Sequence, residues 1–387
     1  MKYKTFNKAG ILAIVLAVFT SCSSDDNENE TTTTTDDVVI TSTNSTGTAE
    51  GDTDNTGADE DDLVENATFE NTVQIVFSET SVTITNPVPD DVVITQDGAD
   101  VTVSSTISEV AYEVSGTTTD GMLKMYSDKK FKLSLTEGQL VFSGSGALNV
   151  AGNYKHGIAS DDYIRVISGT ITVSEAASDG MHTNDYIIID GGTININASS
   201  DGMDCGEGYI IINAGTFNIN AIDDGIVASY DIDDEDEPDD SITPNLTING
   251  GEFTITTSEG EGMEAKGIMT INDGTINIDA YDDGLNAIGT LYINGGNTFV
   301  KSTLNDAIDS NAGITITGGT TIAISVRTDE PDGSFDTDDN LFKVTGGTIL
   351  GLALNTSFPT ESASTQNTVI FDAISANTLL NIQSEDG

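Results

Sequence analysis

Tryptophan is absent from this 387-residue chain, cysteine occurs twice and proline six times, and 13 lysines and arginines face 64 aspartates and glutamates. Each shortage excludes something. Two cysteines, Cys22 and Cys205, cannot supply a disulfide framework or a thiolate metal site. A formal charge of -51 leaves no surface that attracts nucleic acid or anionic lipid, and favours one that gathers cations. The apolar stretch from Ile11 to Phe19 is too short to cross a bilayer. Helical periodicity is missing as well, because apolar residues alternate at period 2 and 39 glycines interrupt the runs.

What the chain has instead is a repeat. Its first phrase begins at Asp179-Gly180-Met181 and returns at Asp201-Gly202-Met203, Asp224-Gly225-Ile226, Glu261-Gly262-Met263, Asp283-Gly284-Leu285 and, in a degraded form, Asp306-Ala307-Ile308. A second phrase, Ile187-Ile188-Ile189-Asp190-Gly191-Gly192-Thr193, recurs in step with it. A fixed period with strand-like alternation inside means one small unit stacked many times. Three short strands per unit, bent at glycine corners, predict an all-β parallel β-helix whose coils climb by one strand spacing. Met181, Met203, Ile226, Met263, Leu285 and Ile308 then form one inner column. Thr183, Cys205, Ala228, Ala265, Ala287 and Ser310 form another, which makes Cys205 a small core residue and not a nucleophile.

The same stacking piles acid on acid. Asp179, Asp201, Asp224, Glu261, Asp283 and Asp306 fall in one ladder, flanked by Asp223 and Asp282 one residue earlier and by Asp204, Glu264, Asn286 and Asp309 two residues after the corner glycine. Like charges ~4.8 Å apart repel by roughly 1 kcal/mol in water and about 3.5 kcal/mol at an effective dielectric near 20. A divalent cation between rungs reverses that sign, and Ca²⁺ suits carboxylate oxygens in tolerant geometry. The competing account is that glycine takes the corner for its positive φ and aspartate precedes it as an ordinary turn former. Two outward features point to a sugar polymer. Tyr163, Tyr186 and Tyr209 form an aromatic column, which either takes sugar rings or shields a turn. Asn195, Asn218 and Asn277 lie among threonines on a flat polar face that either hydrogen-bonds a linear glycan or forms self-supporting ladders.

Around the repeat, residues 1–21 carry Lys2, Lys4 and Lys8 and a short apolar core before Cys22, the pattern of a bacterial lipoprotein signal that leaves Cys22 lipidated. The cleaved chain then has 10 basic residues against 64 acidic ones, a charge of about -54. Ser24-Asp25-Asp26 resembles a tag for the outer face of the outer membrane. Residues 22–66 read as a disordered Thr/Asp-rich tether, 67–130 as a β-rich cap, 131–350 as the coils and 351–387 as a closing segment. That segment ends on Asp386-Gly387, a turn signal with no strand after it, so the natural chain is expected to run on. An acidic insertion, Asp231 to Asp240, lacks the glycine of an EF-hand loop and reads as solvated.

The Asp-Gly-Met/Leu corners, the Ile-x-Ile-x-Gly-Gly-Thr run and the 22 to 23 period, recurring in phase from about Val73 to Phe371, resemble the carbohydrate-binding β-helix family of cellulolytic clostridia. That resemblance implies a right-handed parallel β-helix related in fold to pectate lyases, holding Ca²⁺ and binding plant cell-wall polysaccharide, acidic pectin-type chains included. Carried over residue by residue, calcium falls on Asp179, Asp201, Asp204, Asp223, Asp224, Asp282 and Asp283. Ser178, Ser200 and Gly260 interrupt the flanking acidic column. Non-catalytic binding by a monomeric surface lipoprotein is the leading expectation. A polysaccharide lyase is the alternative, for which Lys266 is the one base near the ladder. A protein-binding adhesin or spacer is the third reading.

Overall fold

The structure, a computed structural model, describes residues 46–57, 69–118, 121–127, 131–135, 147–152, 155–160, 163–230, 243–327, 333–371 and 373. Cys22, the leader, the Asp231 to Asp240 insertion and the chain end lie outside the described residues. All described regular elements are strands.

From Ala147 onward the chain winds as a parallel β-helix of three sheets. The first sheet holds 8 strands, from Ile158–Ser160 to Phe335–Asp336. The second also holds 8, from Tyr163–Val166 to Phe342–Val344, and the third has 9, from Ala147–Gly152 to Thr348–Leu352. One coil shows why these residues turn where they do. Met181–Thr183 and Tyr186–Ile189 are separated by a short bend, and Gly192, at φ 102°, opens the third strand Thr193–Asn197. The equivalent glycines Gly215, Gly251 and Gly274 share that left-handed backbone, where a side chain would be strained.

Register follows the period. Met181 pairs with Met203, then Ile226, Met263, Leu285 and Ile308, with Phe335 as a further member; all six expected residues are fully buried. Thr183, Cys205, Ala228, Ala265, Ala287 and Ser310 form the neighbouring buried column. Within the third sheet Phe217 and Phe253 stack face to face at 4.5 Å.

The coils begin later than the expected Phe131. Phe131–Leu135 pairs with Val110–Thr118 in a four-stranded sheet that also contains Asn71–Glu79 and Ser81–Thr85. With a three-stranded sheet from Val92 to Ser127 it surrounds a separate apolar core of Val73, Ile75, Val92, Val101, Val103 and Tyr112.

A larger difference concerns residues 46–57, which lie within the stretch read as a free tether. They run down the second sheet, opposite in direction to the climb of the coils. Gly47 N–H donates to Thr317 O at one end, and Asn213 Nδ2 donates to Thr56 O at the other. Ten residues at ~3.3 Å cover about 33 Å, against about 29 Å for the six coil spacings between the Ile188 and Lys343 rungs. The strap is held by an asparagine ladder at the end of the second strand. Asn294, Asn272 and Asn249 each donate one amide hydrogen to the asparagine one coil below, at 2.8 to 2.9 Å, and the other to Glu50 O, Asp52 O and Asn55 O, at 2.7 to 2.8 Å. Beneath it, outward-facing Ile188, Ile211, Thr247 and Thr270 are at most 1% exposed. A Cβ on Gly51 would come within 2.6 Å of the Tyr292 ring, so the backbone lies flush against the sheet.

Candidate functional site

The acidic ladder forms, and Asp201 and Asp224 are vertical neighbours. Asp224 N–H donates to Asp201 Oδ1 at 2.9 Å, Glu261 N–H to Asp224 Oδ1 at 2.8 Å, and Asp306 N–H to Asp283 Oδ1 at 2.8 Å. One carboxylate oxygen therefore closes the backbone of the next coil. The other faces its neighbours. Asp179, Asp224, Asp283 and Asp306 are all at most 8% exposed.

The corner glycine is there for a different reason from the one the turn argument gives. Gly180, Gly202, Gly225, Gly262 and Gly284 have no positive φ, but a Cβ on any of them would meet a carbonyl oxygen of the next coil at 2.4 to 2.6 Å. Close stacking of coils demands glycine here, so a left-handed turn does not account for the preceding aspartate.

Electrostatics divides the ladder into three parts. In the middle, Lys266 Nζ lies 2.5 Å from Glu264 Oε1, which also accepts from Asn286 Nδ2 at 3.3 Å. This chain-borne cation answers Glu264. On one side, oxygens of Asp201, Asp223 and Asp224 come within 4.8 Å of one another, and those of Asp179, Asp201 and Asp204 do the same. On the other side, Asp306 and Asp309 converge with Asp336. Among the described residues no lysine, arginine or histidine forms an ion pair with Asp201, Asp223, Asp224, Asp309 or Asp336. Burial, followed by the charges of neighbouring carboxylates, pushes Asp201 and Asp309 up to about 7 and Asp283 up to about 9. Asp224 is driven up by burial and by Glu261. Glu261, Glu264, Asp282 and Asp283 join none of the convergent groups.

Three contributors escaped the sequence reading. Asp336 lies where the period stretches to 27 residues and is brought onto Asp309 by strand pairing. His156 and His182 stack at 4.2 Å and bring imidazole to Asp179 and Asp204. Burial dominates at His156 and lowers its pKa, whereas hydrogen bonds to Asp179 and Asp204 lift His182 to about 9. Burial would raise Asp179, yet the two histidines together draw it down to about 2.

Tyr163, Tyr186 and Tyr209 do form a column, with ring centroids 4.7 and 5.1 Å apart and planes within 5°. Their inner faces cover one another, and no gap admits a sugar ring between them. Tyr186→Ala is expected to cost about 1 to 3 kcal/mol through two lost stacking contacts and to leave polysaccharide retention unchanged, as read by chemical denaturation and pull-down. The third sheet's outer face is different. Asn218 Nδ2 donates to Asn195 Oδ1 at 2.9 Å and Asn220 Nδ2 to Asn197 Oδ1 at 3.1 Å, while Thr254, Asn277 and Asp279 lie open beside them. Phe299 follows Asn277 in the column.

Lys266 is poorly placed for proton abstraction. Burial alone would lower its pKa, but the hydrogen bond it donates to Glu264 and the charges of Glu264, Glu261 and Asp224 outweigh that and hold the ammonium protonated.

Residues 35–305, well over half of the chain, match the model of a family described as carbohydrate-binding domain-containing protein. No curated protein and no solved structure gives a match.

Proposed function

Because the chain belongs to the family of carbohydrate-binding domain-containing proteins, we propose that it holds cell-wall polysaccharide without cleaving it, on the outer face of the third sheet. The observation that carries this reading is the flat, exposed lattice of threonine, serine and asparagine side chains between Thr172 and Asp279. It repeats a hydrogen-bonding group at each coil, so a linear chain laid along the axis meets the same partners at every step. Glu264 holds Lys266 as an ion-paired ammonium, which favours a binder over a lyase.

Calcium is the second part of the proposal. Convergent carboxylates fit a hard, oxygen-seeking ion, with Asp201, Asp223 and Asp224 at one position and Asp306, Asp309 and Asp336 at another. Bound there, Ca²⁺ supplies positive charge to a strongly negative surface and lets an acidic, pectin-type chain approach it. Cellulose-like chains need no such bridge. A signal peptide and Cys22 lipidation would present the protein as a monomer at the outer membrane.

Retention on polygalacturonate is expected to fall several-fold when Ca²⁺ is chelated, while retention on cellulose changes little. Equal retention on polygalacturonate in both buffers removes the bridge. Release of unsaturated uronides would replace the binder by a lyase, and no retention on any glycan would favour the adhesin reading.

A further inference from the structure

The third sheet changes character along its length. One outward column runs through Asn195, Asn218, Thr254 and Asn277 and then continues as Phe299, Ile322 and Leu350. The column beside it runs through Asn197, Asn220, Thr256 and Asp279 and continues as Lys301, Ile324 and Leu352. Polar rungs therefore give way to largely apolar ones. These side chains point outward, because the residues that alternate with them, Thr298, Val300, Thr321 and Ala323, are the fully buried ones. Leu352 is exposed, and Phe299, Ile322 and Leu350 are half-buried among their neighbours in the sheet.

Packing of the coils does not account for this patch. The core lies inside the β-helix, so phenylalanine, isoleucine and leucine on the outside of adjacent rungs add nothing to it. Contiguous apolar surface bordered by polar groups marks a place where something binds. Charge indicates what. The only charged residues in these two columns are Asp279 and Lys301, and Lys301 Nζ donates to Asp279 Oδ1 at 2.7 Å. A chain with a formal charge of -51 thus keeps one strip of surface without net charge. The first sheet, by contrast, carries Asp204, Glu264, Asp309 and Asp336 in one outward column, and the second lies beneath the strap. A uronate carboxylate pressed onto the apolar rungs would lose water without gaining a partner, whereas a neutral sugar ring would not.

We propose that Phe299, Ile322 and Leu350 form an apolar platform for a neutral β-linked glycan of the cellulose type. The chain lays the C–H faces of its rings on the platform, and Asn277 with the Asp279–Lys301 pair at the border hydrogen-bonds its hydroxyls. This combination of apolar and aromatic lining with a few orienting polar groups is the usual chemistry of a ligand site. The proposal rests on the reading that the third sheet holds the polysaccharide, and it names the class: sugars with equatorial hydroxyls and apolar ring faces, ahead of uronates.

The test uses full-length protein on amorphous cellulose in chelator, so that no cation bridge contributes. Phe299→Thr/Ile322→Thr, checked for an unchanged melting temperature, is expected to weaken that retention at least tenfold and to leave retention on polygalacturonate in Ca²⁺ within twofold. An equal loss on both polymers overturns the assignment to a neutral glycan. A double variant retained on cellulose like the wild type, beside an Asn218→Ala variant that is not, removes the platform and keeps the third sheet as the binding face. Failure of the wild type to stay on cellulose overturns both. The absence of tryptophan supplies a second measurement that does not depend on weakening the sheet. Phe299→Trp places a single indole on the platform, and its emission is expected to shift and saturate with cellohexaose. Emission that stays constant at cellohexaose concentrations that block retention on cellulose overturns the platform.

Discussion

Replacing Asn272 with leucine is expected to destabilise the protein by about 3 to 5 kcal/mol and to free residues 46–57 from the coils. Asn272 makes three side-chain hydrogen bonds at 2.8 to 2.9 Å: it donates to Asp52 O and Asn249 Oδ1, and accepts from Asn294 Nδ2. Leucine has nearly the same volume but satisfies none of them. Each partly buried polar atom left behind costs roughly 1 to 3 kcal/mol, with relaxation toward water reducing the sum. Asn197→Leu on the open third sheet is the control. Asn197 also bonds its neighbours one coil away, but in water, so its loss is expected to stay within about 0.5 kcal/mol. Chemical denaturation gives the stability. Hydrogen exchange at Gly47, Glu50 and Asp52, whose amides bond Thr317, Asn294 and Thr270, reads the strap itself. Unchanged exchange at those amides in Asn272→Leu would show that the ladder does not hold the strap.

That strap marks the boundary of what the sequence discloses. The columns were legible because a parallel β-helix maps spacing along the chain directly onto height, and Met181, Met203 and Ile226 could be stacked on paper. Residues 46–57 offer no such pattern. Their own carbonyls accept from asparagine amides 157 to 244 residues away, so a stretch with almost no apolar residues is bound without a hydrophobic signal. Asp336 was hidden by the longer loop before it, which breaks the count that would align it with Asp309. The histidines carried a signal in their spacing: His156 and His182 sit 23 and 22 residues before Asp179 and Asp204, which places them in the acidic columns. The glycine of each Asp-Gly corner was correctly expected and wrongly explained, because sequence cannot distinguish a glycine required by φ from one required by a carbonyl of the adjacent coil.

Without divalent cation the protein is expected to lose stability as pH rises from about 4 to 9, and with Ca²⁺ most of that loss should vanish. Asp201 and Asp309, held up to about 7, and Asp283, held up to about 9, are desolvated and crowded by other acids. Unfolded, each titrates near 3.9. A carboxyl whose folded pKa is raised binds its proton more tightly in the native state, so its contribution is complete below about pH 4 and drains away as pH climbs through 7 and 9. The slope has the opposite sign from that of a salt-bridged aspartate such as Asp179, whose contribution is lost on acidification toward pH 2. His182, raised to about 9, adds loss of the same sign between pH 6.5 and 9, but it titrates against Asp179 and Asp204 and is not relieved by Ca²⁺ further up the ladder. The informative quantity is therefore the gap between melting curves in Ca²⁺ and in chelator. That gap should be near zero at pH 4, where protons already neutralise the acids, and reach roughly 10 °C at pH 8, at a few °C per kcal/mol for a chain of this size. Asp201→Asn removes one buried charge, ionised above about pH 7, from the Asp201–Asp223–Asp224 group, so it should raise the chelator curve at pH 8 and narrow the gap. A gap that is the same at pH 4 and pH 8 would mean that Ca²⁺ acts somewhere other than on these crowded carboxylates.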